Sequence, residues 1–333
     1  MKLIFLVSIV ISFYLNSETH FVSIDAGSGG SRVFIYQIKE NGQITQKKYK
    51  KIKPGLSMLL DSPQELSSYI RKLLDFAESA LNGYDPAEIP LVLQATGGLR
   101  ALHPMDQSKL MNLTQQELDK SLFKAPKAEI ISGETEGRYQ FKTINYLSQD
   151  PAAIIELGGA SIQVAHSDGL SGIASQSIDG YGANRAWIEF GKNSCGTTPL
   201  NYETCKTELN KQLTQIKPAA FKGTYYLVDH FVSLAKFYGK DTLSQNFLDS
   251  KGQETCAKST TELRQIYAHV DNQDPERMCF FIAHTSAILQ QVGIDPQTEM
   301  PAIEEIGDTH ISWTLGSLLE SLETTPVSAN DEL

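Results

Sequence analysis

Residues 23–32, SIDAGSGGSR, set Asp25, three glycines, Ser28, Ser31 and Arg32 between two β-rich apolar runs, FVSID at 21–25 and RVFIYQI at 32–38. Two such runs joined through glycines read as a hairpin. Gly27, Gly29 and Gly30 tolerate positive φ and let backbone N–H groups approach a ligand closely. Successive N–H groups in such a turn form an anion-binding nest. Ser28 and Ser31 add hydroxyl donors, and Arg32 offers a planar fork of donors for phosphate oxygens. Asp25 repels phosphate, so its use is to hold a divalent cation, through water if the cation is Mg²⁺.

The pattern recurs. AAIIELGGASIQVAHS at 152–167 superposes an apolar strand, an acid (Glu156 on Asp25), a glycine-rich turn with a hydroxyl and a second alternating strand. Two copies of one phosphate-gripping hairpin predict two lobes related by pseudo-symmetry, with Glu156 as the second acid of the cation site. There is no Gly-x-x-x-x-Gly-Lys-Ser/Thr loop, and no strand runs through Gly-x-Gly-x-x-Gly into a helix. Walker-type phosphate loops and dinucleotide-binding turns are thereby excluded.

Phosphoryl transfer to water also needs a base. SGETEG at 132–137 offers Glu134 and Glu136 ahead of a helical pattern. A carboxylate at a helix mouth can polarise water for in-line attack, or it can simply complement the helix's positive end. Set between two phosphate hairpins, Glu136 is the better choice for the base. ATGGLR at 95–100 ends an apolar strand, at the edge where open α/β sheets bind ligands. Thr96 there is a candidate for a metal-bound water, and Arg100 reads as a structural anchor.

The 333 residues exceed one typical core and suit two lobes. A net charge of −10 argues against nucleic-acid binding, so an anionic substrate must be held by local devices. Residues 2–15, KLIFLVSIVISFYL, place one Lys before a mostly apolar run of thirteen, too short to span a bilayer and typical of an export leader. Cleavage is expected after Ser17. Cys195, Cys205, Cys256 and Cys279 lack zinc spacing. In an oxidising compartment the simplest of their three pairings is Cys195 with Cys205 and Cys256 with Cys279. SPQELSSYIRKLLDFAESAL at 62–81 has Ser62 as cap, Pro63 at the first helical position and apolar residues at Leu66, Tyr69, Ile70, Leu73, Leu74 and Ala77, the signature of an amphipathic helix. Helical patterns dominate after 200, VDHFVSLAKFYG at 228–239 among them.

In this order, DAGSGGSR (25–32), ATGGLR (95–100), GETEGRYQF (133–141), ELGGASIQ (156–163) and SIDGYGANRA (177–186) resemble the signatures of the apyrase, or ecto-nucleoside triphosphate diphosphohydrolase, family, in its secreted bacterial type. WTLGSLL (313–319) resembles that family's closing helix. The resemblance implies an α/β, actin-like, two-lobed fold with ribonuclease-H-like halves, each a mixed sheet flanked by helices, and an active site in the cleft. It further implies Mg²⁺ or Ca²⁺ and stepwise hydrolysis of nucleoside tri- and diphosphates by a secreted or periplasmic monomer, with no membrane attachment once the leader is gone. Carried onto matching positions, Glu136 becomes the base, Ser161 and Gln163 partners of the attacking water, and Asp25 and Glu156 the metal acids. Ser28, Gly29, Gly30, Ser31 and Arg32, with Gly158, Gly159 and Ala160, become the phosphate grip.

Departures from the family pattern include Glu156 for Asp, Gly29 for Thr, Gly97 for Ala and Phe141 for Trp. Phe231, Tyr238 and His284 are the candidates for stacking on a nucleobase. The expected organisation is a leader at 1–17, lobe I at 18–142 joined by a C-terminal helix at 310–324, lobe II at 143–309 and a flexible tail at 325–333. The nearest rival is an exopolyphosphatase or guanosine pentaphosphate phosphohydrolase, which shares both turns; a second is a non-hydrolytic nucleotide-binding scaffold, and a third a lipid-anchored or membrane-bound version that retains the leader.

Overall fold

The computed structural model describes residues 18–148, 151–169, 172–191, 195, 201–219, 221–266 and 275–324. The leader at 1–17 and the tail at 325–333 lie outside the described residues. The chain divides between Ile131 and Ser132 into two compact units.

In the first unit, β1 (Thr19–Gly27), β2 (Gly30–Ile38) and β3 (Ile44–Ile52) form an antiparallel meander. The helix α1 (Pro63–Ala80) returns the chain to β4 (Pro90–Ala95), which lies parallel to β1 on its other side. A one-turn helix α2 (Gly97–Arg100) and α3 (Pro104–Leu118) then lead to β5 (Lys124–Ile130), parallel to β4, giving the order β3-β2-β1-β4-β5. All six apolar positions expected on one face of α1 are buried. They pack on Val22, Ile24, Val33, Ile35, Leu91 and Leu93, which alternate along three strands. Truncating a fully buried leucine such as Leu73 to Ala costs about 2–5 kcal/mol. Ser62 occupies the cap position of α1, but its side chain makes no capping bond. Edge strand β3 exposes Lys47, Lys48, Lys50 and Lys51, charges that discourage edge-to-edge pairing.

The second unit opens with α4 (Gly133–Ser148), followed by β6 (Ala152–Leu157), β7 (Ser161–Ser167) and β8 (Ile173–Asp179) in a second antiparallel meander. The short helix α5 (Ala183–Ala186), a π-helical turn at Trp187–Gly191 and α6 (Tyr202–Gln212) precede β9 (Thr224–Asp229), which runs parallel to β6. The order β8-β7-β6-β9 repeats the β3-β2-β1-β4 order of the first unit. Each half is therefore the expected mixed sheet flanked by helices.

After β9 come α7 (His230–Phe237), α8 (Gln245–Cys256), α9 (Thr260–Ile266), α10 (Pro275–Val292) and α11 (Trp313–Thr324). The helical reading of 228–239 is corrected at its start. Val228 and Asp229 finish β9, whose TYYLVD is aromatic and β-branched and pairs with β6, and the helix begins only at His230. Cys195 pairs with Cys205 and Cys256 with Cys279, the simplest of the three arrangements. The second bridge ties α8 to α10; each disulfide contributes about 2–4 kcal/mol by restricting the unfolded chain.

The helix α4 belongs wholly to the second unit, so the division falls ahead of residue 142. The C-terminal helix α11 packs on α4 within that same unit. The reason is local. A Cβ on Gly316 would stand 1.9 Å from Tyr139 O, so only a glycine lets the two backbones meet. Thr143 Oγ1 donates to Ser312 O at 2.8 Å and accepts from the Gly316 N–H at 2.8 Å. Arg138 pairs with Glu320 at 2.5 Å.

Candidate active site

The first turn belongs to the first unit. Gly27 pairs with Gly30, leaving Ser28 and Gly29 as a two-residue loop, and Asp25 lies directly opposite Arg32. Arg32 Nη1 donates to Asp25 Oδ2 at 3.0 Å. The guanidinium expected on phosphate thus engages the acid as well. Distant backbone supports the loop: a Cβ on Gly98 would meet Ser28 Cα at 2.7 Å. Within ATGGLR, Gly97–Arg100 form one turn of helix rather than an open turn, pressed against the hairpin tip. Thr96 is buried, its N–H donating to Ala26 O at 3.3 Å, and Arg100 Nη1 donates to Ile131 O at 3.1 Å as the expected anchor.

Ser31 requires a correction. Its neighbour Arg32 shares a face with Asp25, so alternation turns Ser31 to the opposite face, toward α1. It has no exposed surface, and its N–H donates to the Tyr69 hydroxyl at 3.0 Å. Burial raises the pKa of that hydroxyl, with the Ser31 bonds opposing. Ser31 is a core residue of the hairpin and leaves the phosphate grip.

The second turn has the same register. Leu157 pairs with Ile162 and the Gly158 N–H donates to Ser161 O at 3.0 Å, so Gly159 and Ala160 form a two-residue loop. All three turn carbonyls are taken. Gly158 O accepts from the Ala183 N–H at 2.9 Å, Gly159 O from Asn184 and Arg185 at 3.0 Å each, and Ala160 O from Gly180 at 2.9 Å. The GYGAN stretch clamps the turn, and a Cβ on Gly182 would lie 2.3 Å from Ser161 N.

Glu156, Gln163 and Ser177 stand directly opposite one another on β6, β7 and β8. Directly opposed residues project from the same face, so the three form a row across the sheet. The helix α4 crosses that face: a Cβ on Gly137 would approach Gln163 Cβ to 3.3 Å. Gln163 Nε2 donates to Ser161 Oγ at 2.8 Å and Ser177 Oγ at 3.0 Å, and reaches Glu136 Oε2 at 3.4 Å. Glu136 is 6% exposed, whereas Glu134 faces solvent. The helix mouth is capped by Ser132, whose Oγ accepts from the Thr135 N–H at 3.1 Å.

Within the second unit, then, Glu136, Ser161 and Gln163 come together, with Glu156 in the same row. Within the first, Ser28, Gly29, Arg32, Asp25 and Thr96 gather at one turn. Sequence reading missed Ser177. It stands first in SIDGYGANRA, which reads in sequence only as a family signature, and the register of β7 and β8 is what places it opposite Gln163. Phe231 and His284 are fully buried, so neither offers a base-stacking surface; Tyr238 is half-buried, and its Oη bonds Thr255 Oγ1 at 3.1 Å. Among the described residues no three His, Cys, Asp or Glu side chains cluster as a metal cage.

A family model described as GDA1/CD39 (nucleoside phosphatase) matches residues 13–186 and 192–331, a range that contains every motif quoted above. The chain belongs to the GDA1/CD39 family. Among its relatives, a pea (Pisum sativum) nucleoside-triphosphatase is 25% identical, with 93% of this chain and 89% of that protein aligned. Ectonucleoside triphosphate diphosphohydrolase 7 of Mus musculus is 33% identical over 181 residues, which is 43% of this chain and only 30% of the mouse protein's length. Two solved structures resemble the chain in fold, at 15% and 14% identity. The Aquifex aeolicus Ppx/GppA family member covers 92% of this chain and 98% of its own at a TM-score of 0.67. Nucleoside triphosphate hydrolase from Neospora caninum covers 91% and 92% at 0.63. The mixed α/β architecture of this GDA1/CD39 member is thus the actin-like fold that the family resemblance implied.

Proposed function

We propose that this protein hydrolyses the terminal phosphates of nucleoside tri- and diphosphates, releasing inorganic phosphate and, in the end, the nucleoside monophosphate. The observation that carries this reading is the buried set of Glu136, Gln163 and Ser161 in a family of nucleoside phosphatases. Ser161 and Gln163 orient a water, and Glu136 takes its proton. The water oxygen bonds to the terminal phosphorus while the bridging P–O bond breaks, the bond electrons leaving with the shortened nucleotide. Ser28, Gly29, Gly30 and Arg32, with Gly158, Gly159 and Ala160, hold the phosphates through backbone and guanidinium donors. The three engaged carbonyls of the second turn keep it rigid for this purpose.

The donor set fits a hydrated divalent cation. Asp25 is buried in the first unit and Glu156 in the second, and a carboxylate of either kind can hold Mg²⁺ through its water shell beside a substrate's own phosphates. Bound Mg²⁺ or Ca²⁺ would neutralise phosphate charge. Two disulfides suit an oxidising compartment, in line with export, and among the described residues no helix is long and apolar enough to cross a membrane. We read the working form as a secreted monomer.

Phosphate release from ATP, ADP, GTP, UTP, AMP, pyrophosphate and long-chain polyphosphate, each with Mg²⁺, Ca²⁺ or EDTA, tests the reading. Turnover of ATP and ADP that EDTA stops is expected. Preference for polyphosphate would favour the exopolyphosphatase alternative, and undiminished turnover in EDTA would remove the metal role of Asp25 and Glu156.

A further inference from the structure

Gln163 Nε2 carries two hydrogens and faces three oxygens. The nitrogen rather than the oxygen of the amide must face them, because an ionised Glu136 only accepts. Two acceptors are close, Ser161 Oγ at 2.8 Å and Ser177 Oγ at 3.0 Å; the carboxylate Oε2 is at 3.4 Å, near the limit of a useful bond. The two hydrogens therefore go to the two serines. Ser177 is held in that place by the sheet, since it is the direct cross-strand partner of Gln163 and a ladder fixes such pairs. Ser161 is held by its own turn, two residues before Gln163.

Hydrogen bonding to a carboxylate stabilises its charged form and weakens it as a base. An amide turned fully toward Glu136 would do that, and would also compete with water for the lone pair that accepts the proton. We propose that Ser177 is a positioning residue: its hydroxyl engages one of the two Gln163 amide hydrogens, keeps the amide from binding Glu136 tightly and so preserves the strength of the base. This rests on Glu136 being the base. Ser177 acts through Gln163 and touches no reacting atom.

The test is Ser177→Ala with ATP, measured as full pH profiles of kcat and KM in the intact protein. Without the serine acceptor, one amide hydrogen turns to Glu136. The maximal kcat should fall about threefold to tenfold at unchanged KM, while the acid limb of kcat, which reports the base, moves to lower pH by about half a unit or more. A slower enzyme that stays active at lower pH is a combination that mere loosening would not produce. Ser177→Thr keeps the hydroxyl and should restore both rate and limb. Should Ser177→Ala lose its cooperative melt, Ser177→Cys, with a weakly accepting sulfur, carries the same measurement. An acid limb unmoved in the variant lacking the hydroxyl, or a limb that Ser177→Thr fails to restore, overturns the inference. Glu136→Gln separates this failure from that of the underlying reading. If it is inactive while the Ser177 variants keep the wild-type limb, only the role of Ser177 falls; if it turns over normally, the base assignment falls and this inference with it.

Discussion

The two glycine turns share one register and differ in what stands seven residues past each acid. In the first unit Asp25 faces Arg32 and the pair makes an ion pair at 3.0 Å; in the second Glu156 faces Gln163, an amide that bonds Ser161 and Ser177. Each loop is pressed by a glycine from a later segment, Gly98 on the first and Gly182 on the second. The same backbone device thus carries a charge in one half and a neutral hydrogen-bond relay in the other. A guanidinium is suited to binding phosphate, while an amide between a carboxylate and two hydroxyls is suited to arranging a proton transfer. On the proposed reading both turns hold phosphate, and the chemistry falls to the second alone.

The most severe challenge to that division is Glu136→Gln, which should lower kcat by about 10²- to 10⁴-fold with little change in nucleotide affinity, measured by steady-state release and by equilibrium binding. Affinity lost in parallel with rate would place Glu136 among the binding groups instead. Arg32→Ala should do the reverse, raising KM for ATP about tenfold or more with a smaller change in kcat, since a charge-assisted bond is worth about 1.5–3 kcal/mol. A kcat defect without a KM defect would end the contrast. Next come the two buttresses. Gly182→Ala and Gly98→Ala each force a Cβ into backbone, with an expected cost of about 1–3 kcal/mol read as a lowered melting temperature. Beyond stability, the first should act on kcat as well as KM, because the second turn carries both Ser161 and part of the phosphate grip, and the second mainly on KM.

The smallest effect concerns acid. His284 is fully buried, and burial, aided by His230, drives its pKa down to about 3. In the unfolded chain the imidazole titrates near 6.5, so between about 6.5 and 3 the unfolded state binds the extra proton and stability falls as pH is lowered through that window. Asp249, in the same unit, adds to the loss at lower pH: burial raises its pKa, but bonds from Lys206, Ser286 and Tyr202 outweigh burial and leave it below the ordinary 3.8. Both tryptophans, Trp187 and Trp313, belong to the second unit, so their emission reports on that unit alone. Acid should shift the tryptophan transition more than the whole-chain dichroism, and His284→Phe should narrow the gap; coincident transitions at every pH would refute it.

Much of this was legible in the chain. The alternation in FVSIDAG and RVFIYQI, the 3.6-residue spacing of Leu66 through Ala77 and the short separations between cysteines are local patterns, and local sterics and burial decide them. Strand β9 escaped because TYYLVD runs without a break into an apolar helix; pairing with β6 decides the boundary at Asp229. Ser31 is hard to read because hydroxyls next to glycines look alike in sequence, whereas Ser28 lies half-buried in the loop and Ser31 is turned into the core by its place in the strand.

By itself the sequence determined two glycine-turn hairpins in one order, an acid at each, a glutamate at the start of a helix and the family to which these belong. Only tertiary structure decided that Tyr69 takes the Ser31 N–H, that Gly98 and Gly182 press on the loops, that α11 packs on α4 and that Ser177 bonds Gln163. The physical reason is range: a turn or a helix is selected by the residues within it, while the partner of a buried polar group is selected by which distant backbone or side chain the packed fold brings within about 3 Å.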